Sequence, residues 1–579
     1  MRIPNTLNWK VGGPAGEGIM TTGLIFSKAL SRSGLKVFDY TEYPSLITGG
    51  HNTYQVYASE HFATSQYQEL DVLIALDKAT LDLHLDEITE NTLVIFDKED
   101  DKINIEEHGL NARTFNLPMV KLAQESGGSK LMANNVALGA TMFVFGLDLQ
   151  ILFGVIESVF GRKGAEVVTK NQNAAQFGYN FMQEHLGQSL MTFVKVEGKN
   201  YLTMTGNEAI SLGAIAGGLQ LYTAYPMTPS SSILHVLAEK AKQADIVVKH
   251  AEDEIGVINM ALGASFAGVR SMVGSSGGGF CYMSEALGLS GIAEIPLVVI
   301  ESMRPGPALG MPTWTAQGDL QFIITASQDE FPRFVLSPSD SQEAFELTRL
   351  AMDLSEKYQT LVIVVSDKLL SESRFTMELD NTQFNNERHG IDKDPQLAEV
   401  GFYPRYQDTD NGISQRTIPG QPNGYYMSNS YTHDDYGFAT EDGEIRVEQV
   451  DKRAKKFELM KSEILPQYFE NNNGEMTLIS FGSTKGAVVA ARELLENNHN
   501  IKVNVLNLSW IWPFPEKQVM EVLDMNVPFA VIEGNSTGQL AKIIRMETGV
   551  KVENQLLKYD GRPFYPHEIV KFVRNTLKK

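Results

Sequence analysis

Cysteine is almost absent from this chain: Cys281 stands alone among 579 residues. One thiol excludes an internal disulfide, and it excludes an iron–sulfur cluster or cysteine-based zinc site held by this chain alone. Long hydrophobic runs are missing too. No stretch reaches the roughly eighteen consecutive apolar residues of a membrane-spanning helix, so no membrane role is expected. The opening MRIPNTLNWKVGG lacks the apolar core of a secretory signal, and the cytoplasm is the expected compartment. Positive charge is scarce: 49 Lys and Arg against 71 Asp and Glu leave a net charge of −22. That balance argues against nucleic acid as the main ligand and favours basic or metal-bearing partners.

What is present is ordinary globular material. A hydrophobic content of 43% with 21% charged residues is neither disordered nor fibrous, and the length predicts three or four domains. Apolar runs alternating with helical patterns predict open α/β domains with parallel sheets covered on both faces. The first block opens with WKVGGPAGEGIMTTGLIFSKALSRSG and continues through LKVFDY, DVLIALD and TLVIFD. FVKVEGKNYLTMTGN reads as a linker. The second block carries GLQLYTAYPMTP, DIVVKH, RSMVGSS, IPLVVIESM, RFVLSP and TLVIVVSD. A long polar passage with little periodicity follows, of the kind that is functional or wraps a partner. MTLISFG, KVNVLNL and FAVIEG restart the alternation. The predicted boundaries are 1–195, 204–373, 374–470 for the polar segment, and 471–579.

Three glycine loops invite a nucleotide reading. GGPAGEGI places Gly13, Gly16 and Gly18 between a strand and a helix, but the spacing is G-x-x-G-x-G instead of G-x-G-x-x-G. Asp39, at the spacing of a ribose-binding acid, does not repair that mismatch. Free N–H groups at a helix start still make the loop a candidate for coenzyme A or another phosphate. SSGGGF, 275–280, offers the same physics through Gly277 and Gly278. FGSTKGA, 481–487, lacks the first glycine and the order of a P-loop. EDGEIRVEQVDKRAKKFELM places Glu441 where a diphosphate-binding G-D-G motif needs glycine, and the sequence after it reads as a charged surface helix.

The stretch HAEDEIGVINMALGASFAG, 250–268, sets Glu252, Asp253 and Glu254 ahead of a small-residue helix expected to be packed on most sides. Acids in a first helical turn ordinarily cap it or complement its dipole. The neighbouring motifs add a second reading. Together with YPMTPSS, 225–231, SGGGFCYMSEALGLSGIAEIPLVVIESMRPGP and MRPGPALGMPTWTAQGDL, 303–320, this stretch closely resembles the α subunit of 2-oxoacid:ferredoxin oxidoreductases, nearest to the 2-oxoglutarate type. EYPSLITGGHNTY resembles the family's γ domain, fused here at the N-terminus. FGSTKGAV, EGNSTGQL and KYDGRPFYPHEI resemble its C-terminal domain. The likeness runs over nearly the whole chain.

The resemblance implies three α/β domains: a γ-type domain, a thiamine diphosphate pyrimidine-binding domain and a transketolase C-terminal-like domain. It implies oxidative decarboxylation of a 2-oxoacid, or the reverse carboxylation, with thiamine diphosphate as cofactor, coenzyme A as co-substrate and ferredoxin as electron partner. It further implies a β subunit that supplies the diphosphate motif, Mg2+ and a [4Fe–4S] cluster, in an (αβ)2 assembly. No metal is expected on this chain. Glu254 is then the catalytic acid, bonded to N1′ of the aminopyrimidine and promoting ionisation at the cofactor's C2; Glu252 and Asp253 remain cap and dipole residues. Gly277 and Gly278 border the cofactor. Arg304 holds the substrate's 1-carboxylate through a planar fork, and Thr228 and Tyr225 complete that pocket, although Thr228 also suits a helix cap. Trp314 and Thr48 depart from the family pattern, which often has cations at both positions. Two other readings stay open on the residues alone: a non-oxidative thiamine enzyme subunit, and a non-enzymatic nucleotide-binding protein.

Overall fold

LNWKVGG is buried along its length because it forms an interior strand, Thr6–Pro14. It runs parallel to Val72–Ala75 on one side and antiparallel to His51–Ser59 on the other. The computed structural model describes all residues except 1–5, 46–49, 62, 100–102, 104, 192–200 and 379–385. Thr48 and most of the predicted linker therefore lie outside the described residues. The chain forms two compact units: Met1–Met204 with Glu372–Leu379 and Tyr565–Lys571, and Thr205–Ser371 with Asp380–Phe564 and Phe572–Lys579.

The first unit holds an eight-stranded sheet ordered Arg113–Asn116, Leu93–Phe96, Val72–Ala75, Thr6–Pro14, His51–Ser59, Lys36–Glu42, Arg374–Met377, Leu202–Thr205. Its first four strands are mutually parallel, but His51–Ser59 runs antiparallel to both neighbours and Arg374–Met377 runs antiparallel to Lys36–Glu42. The sheet is thus mixed where a parallel one was predicted. The short connection from Glu42 to His51 leaves no room for a crossover helix, so the two strands it joins lie antiparallel. His51–Ser59 escapes a search for apolar runs because its inward polar groups are bonded internally: Gln55 Nε2 donates to Asn8 Oδ1 at 2.8 Å and to the Tyr67 carbonyl at 2.6 Å.

The second unit carries two sheets. The larger has the order Trp510–Trp512, Arg333–Leu336, Leu361–Asp367, Leu297–Met303, Ser271–Ser275, Leu221–Ala224, Val247–His250. All its strands are parallel except Trp510–Trp512, which joins antiparallel. The smaller is Tyr468–Glu470, Asn504–Leu508, Thr477–Phe481, Phe529–Glu533, Asn554–Leu557. The two share one hydrophobic core, in which Val257, Val299 and Ile363 meet Phe481, Leu506 and Val531. Among the described residues no helix is long and apolar enough to cross a membrane.

The polar passage is held by buried charge instead of by ladders. Arg405 Nη2 donates to the Glu294 carbonyl at 3.0 Å, and Arg416 Nη1 donates to the Ser265 carbonyl at 2.8 Å. Glu356 accepts from Arg270, Arg388 and Arg416. The helix Gly443–Met460, read above as a charged surface helix, has a buried face. Lys452 and Lys456, spaced i and i+4 and so on one side of the helix, both reach the fully buried carboxylate of Glu294. Burial alone would raise Glu294's pKa, but Lys452, Lys456 and Arg405 hold it well below the usual value. Burial pushes Lys456 down to about 8 against the pull of Glu294.

Glu294→Gln should therefore destabilise the chain by about 3–5 kcal/mol, the usual cost of stranding one side of a buried ion pair. Urea unfolding measures it, and adding Lys452→Met with Lys456→Met should recover most of the loss. The carboxylate's contribution is complete above its ordinary value of 4.5 and falls away as pH drops through the depressed folded value. The wild-type advantage over Glu294→Gln should therefore shrink in acid. A loss below about 1 kcal/mol at neutral pH, the range of an exposed pair, would contradict this account.

Candidate functional site

Four neighbouring parallel strands, Leu297–Met303, Ser271–Ser275, Leu221–Ala224 and Val247–His250, end at one edge of the larger sheet. Loops leaving the C-terminal ends of such strands form the natural crevice of an open α/β sheet. Arg304, Gly277–Gly279, Tyr225 with Thr228, and Glu254 follow these four ends in turn.

The acidic triplet divides its tasks. Asp253 is extended and caps the helix Glu254–Phe266, its Oδ1 accepting from Gly256 N–H at 2.7 Å. Glu252 is exposed. With the cap supplied, Glu254 turns inward and is only 4% exposed, and its Oε1 has no hydrogen-bond partner among the described residues. The helix buries Val257, Ile258, Ala261, Leu262 and Ser265, while Ile255, Met260 and Gly263 lie open. The expected packing on most sides is therefore one-sided.

The helix Gly277–Ile292 begins against that carboxyl. A Cβ on Gly279 would stand 2.4 Å from Glu254 Oε1 and 2.1 Å from Ser275 Oγ, and one on Gly277 would stand 2.4 Å from Asp319 Oδ2. Gly278 faces open space, with nothing nearer than the Ala308 carbonyl at 3.8 Å. Gly277 and Gly279 thus allow close approach of acids, and Gly278 leaves room.

Arg304 is 7% exposed and its Nη1 donates to the Thr228 carbonyl at 2.6 Å. Burial lowers its pKa from the ordinary value. Its remaining N–H groups suit a carboxylate. Thr228 is not a cap: the helix Ser231–Ala244 has Ser230 at that position, and Ser230 Oγ donates instead to the Met227 carbonyl at 2.8 Å. Tyr225 is 39% exposed, its ring 6.1 Å from that of His250.

Sequence reasoning passed over three acids. Glu301 lies inside the strand IPLVVIESM, fully buried, and neither of its carboxyl oxygens has a partner among the described residues. Burial, then the charges of Asp319 and Asp367, push its pKa well above the usual range. Burial also raises Asp319, to about 6. Asp367 is raised by burial although its Oδ2 accepts from Ser483 Oγ at 2.5 Å and its Oδ1 from Leu370 N–H at 3.0 Å. An acid within an apolar strand was the available signal for Glu301.

In the first unit, Gly16 and Gly18 both take positive φ, +91° and +82°, and Gly18 stands at the start of the helix Ile19–Arg32. A cavity of about 270 Å³ opens there, lined by both glycines with Thr21, Asn134, Lys163 and Asn171. Gly13 remains in the strand, packed near Leu76 and Ile19. The loop therefore presents a helix start beside a lysine, a fitting seat for a phosphate.

Asp319 makes a testable pH signature. A carboxyl raised from 3.8 to about 6 on folding binds more protons folded than unfolded between those values, so stability falls as pH rises through them. Asp319→Asn should flatten the dependence of Tm on pH between about 4 and 6.5, the window set by that shift. An unchanged slope would show that Asp319 does not titrate there.

Comparison with known proteins converges on one family. Three family profiles match: "Pyruvate ferredoxin/flavodoxin oxidoreductase" over residues 8–181, "Pyruvate flavodoxin/ferredoxin oxidoreductase, thiamine diP-bdg" over 212–452, and "Pyruvate:ferredoxin oxidoreductase core domain II" over 474–569. The 2-oxoacid:ferredoxin oxidoreductase subunit alpha of a Sulfolobus species is 30% identical over 99% of this chain and 97% of its own. The 2-oxoglutarate oxidoreductase subunit KorA of Mycobacterium tuberculosis is 27% identical over 98% and 91%. The solved 2-oxoglutarate:ferredoxin oxidoreductase from Magnetococcus marinus, with 2-oxoglutarate, coenzyme A and succinyl-CoA bound, superposes with a TM-score of 0.91 at 31% identity, covering 99% of this chain and 100% of that one. The chain belongs to the α-subunit family of the 2-oxoacid:ferredoxin oxidoreductases.

Proposed function

We propose that this chain, with its fused γ-type domain, works with a β subunit to convert 2-oxoglutarate and coenzyme A to succinyl-CoA and carbon dioxide, passing electrons to ferredoxin, or to run the reverse carboxylation. The observation that carries the reading is the buried Glu254 carboxyl, whose Oε1 is unpartnered among the described residues and lies beside the glycine edge Gly277–Gly279. Such an oxygen fits a ring nitrogen of the aminopyrimidine, and the space before Gly278 fits a flat ring. Bound thiamine diphosphate supplies the carbon that attacks the oxoacid and stores its electrons. Glu254 holds and shares a proton at the pyrimidine N1′. Arg304, fixed by the Thr228 carbonyl, orients the 1-carboxylate for attack, with Thr228 and Tyr225 bordering it. The glycine loop Gly13–Gly18 and its cavity take a phosphate of coenzyme A.

The partner's share is supported from this chain's side. Cys281 cannot alone ligate a [4Fe–4S] cluster, and Glu441 interrupts the only candidate for a Mg-diphosphate motif, so both groups belong to the β subunit. The open face of the Glu254 helix carries large apolar side chains beside Asn259: Ile255 is 51% and Met260 45% exposed, and Tyr282 of the neighbouring helix is 66% exposed. A β subunit seated there completes the cofactor site, within an (αβ)2 assembly.

The test uses the chain copurified with its β subunit, assayed with 2-oxoglutarate, coenzyme A and a viologen. Glu254→Gln should lower kcat by on the order of a hundredfold or more, the range of a lost acid–base group, while Glu252→Gln changes it little. Arg304→Ala should lower kcat/KM for every 2-oxoacid by roughly a hundredfold, as expected for a lost charge-assisted fork. Equal effects at positions 252 and 254 would show that the wrong acid has been assigned. Robust turnover by the isolated chain would overturn the division between subunits.

A further inference from the structure

The turn YPMTPS, between the strand Leu221–Ala224 and the helix Ser231–Ala244, is short of backbone donors. Pro226 and Pro229 have no N–H, so the carbonyls of the turn depend on side chains. Three carbonyls in succession are held in this way, each by a different part of the chain. The Met227 carbonyl accepts from Ser230 Oγ at 2.8 Å. The Thr228 carbonyl accepts from Arg304 Nη1 at 2.6 Å. The Pro229 carbonyl accepts from Asn207 Nδ2 at 2.8 Å, and the same nitrogen donates to Ser232 Oγ at 2.7 Å. Asn207 is 0% exposed and lies in the first turn of the helix Gly206–Ala216. An asparagine at a helix start ordinarily caps it, but that task is taken. Thr205 and Glu208 form a reciprocal capping box, Glu208 N–H donating to Thr205 Oγ1 at 3.1 Å and Thr205 N–H to Glu208 Oε2 at 2.8 Å. The helix start is itself fixed. A Cβ on Gly206 would stand 2.3 Å from the Leu370 carbonyl, and Ser211 Oγ donates to the Asn207 carbonyl at 2.7 Å. Burying an amide completely is costly unless it is bonded, and the two N–H groups of Asn207 meet two acceptors, one in the turn and one just beyond it.

We propose that Asn207 is a positioning residue for oxoacid recognition: it clamps the turn so that the Thr228 carbonyl stands where it aims Arg304. This rests on the reading that places Arg304 on the 1-carboxylate. Asn207 is fully covered and meets no substrate itself. It holds the carbonyl one residue beyond the one that Arg304 uses, and through Ser232 it ties the turn to the start of the following helix. Without that clamp the Pro229 carbonyl loses its donor and the turn can shift. A misplacement of about 1 Å at a group that orients substrate can cost up to about a hundredfold in rate.

In the copurified complex, Asn207→Leu, close in shape and without a donor, is assayed alone and together with Arg304→Ala. Both oxoacids, 2-oxoglutarate and pyruvate, are used, and the KM for coenzyme A is measured with each. Asn207→Leu should lower kcat/KM by roughly tenfold for both oxoacids alike, the worth of one or two hydrogen bonds, since the 1-carboxylate is common to them. The KM for coenzyme A should move by no more than about twofold, because that ligand does not use the Arg304 fork. In the Arg304→Ala background the same substitution should cost less than about twofold, as no fork is left to misplace. Ser232→Ala removes one partner of the clamp and keeps the Pro229 bond. It should give a smaller loss with the same pattern, and it carries the comparison should Asn207→Leu assemble poorly. A loss that persists undiminished in the Arg304→Ala background, no loss when Arg304 is present, or a matching rise in the KM for coenzyme A would overturn the proposal. An Arg304→Ala complex that turns over every oxoacid normally would sink the parent reading instead.

Discussion

The site depends on one close approach: the first turn of Gly277–Ile292 closing on the carboxyl of Glu254. Gly279 permits it, because any Cβ there would enter the space of Glu254 Oε1 and Ser275 Oγ. The carboxyl is left buried, with an oxygen that nothing described in this chain satisfies. An unpartnered buried acceptor is costly, so its persistence points to a group supplied from outside the chain. On the proposed reading that group is the cofactor's pyrimidine, and the open face beside it is where the second subunit closes the site.

The surroundings deepen the same economy of charge. Burial is the largest cause raising the pKa of Glu301, Asp319 and Asp367, and the charges of the two aspartates raise Glu301 further. Arg304 stands almost covered at the same edge, anchored by a single carbonyl. On the proposed reading, a substrate carboxylate arriving there meets a largely buried cation, which strengthens the interaction over one in water. Elsewhere in the second unit two buried carboxylates are instead paired with cations: Glu294 with two lysines, Glu356 with three arginines.

Much of this architecture was legible in the residues. The interior strands of the larger sheet read as apolar runs because they are buried on both faces, and the resemblance singled out Glu254, the member of its triplet that the fold buries. His51–Ser59 was not legible, since its inward side chains are polar and their partners, such as Asn8, come from another strand. The helix Gly443–Met460 looked like a surface helix because its lysines are paired by Glu294, which lies about 160 positions earlier. Glu301 was hidden for a related reason. One acid in an apolar strand gains meaning only from Asp319 and Asp367, which the fold gathers around it. Asn207 was equally invisible, as an asparagine at a helix start reads as a cap and its partners lie in and beyond a distant turn.

The most direct test of the central claim is a calorimetric titration of thiamine diphosphate with Mg2+ into the chain alone and into the chain joined to its β subunit, each with and without Glu254→Ala. The account predicts no measurable binding to the chain alone and clear binding to the complex. Glu254→Ala should weaken the latter by roughly tenfold or more, as expected for loss of a buried hydrogen bond. Mg2+-dependent binding by the isolated chain, indifferent to Glu254→Ala, would contradict it.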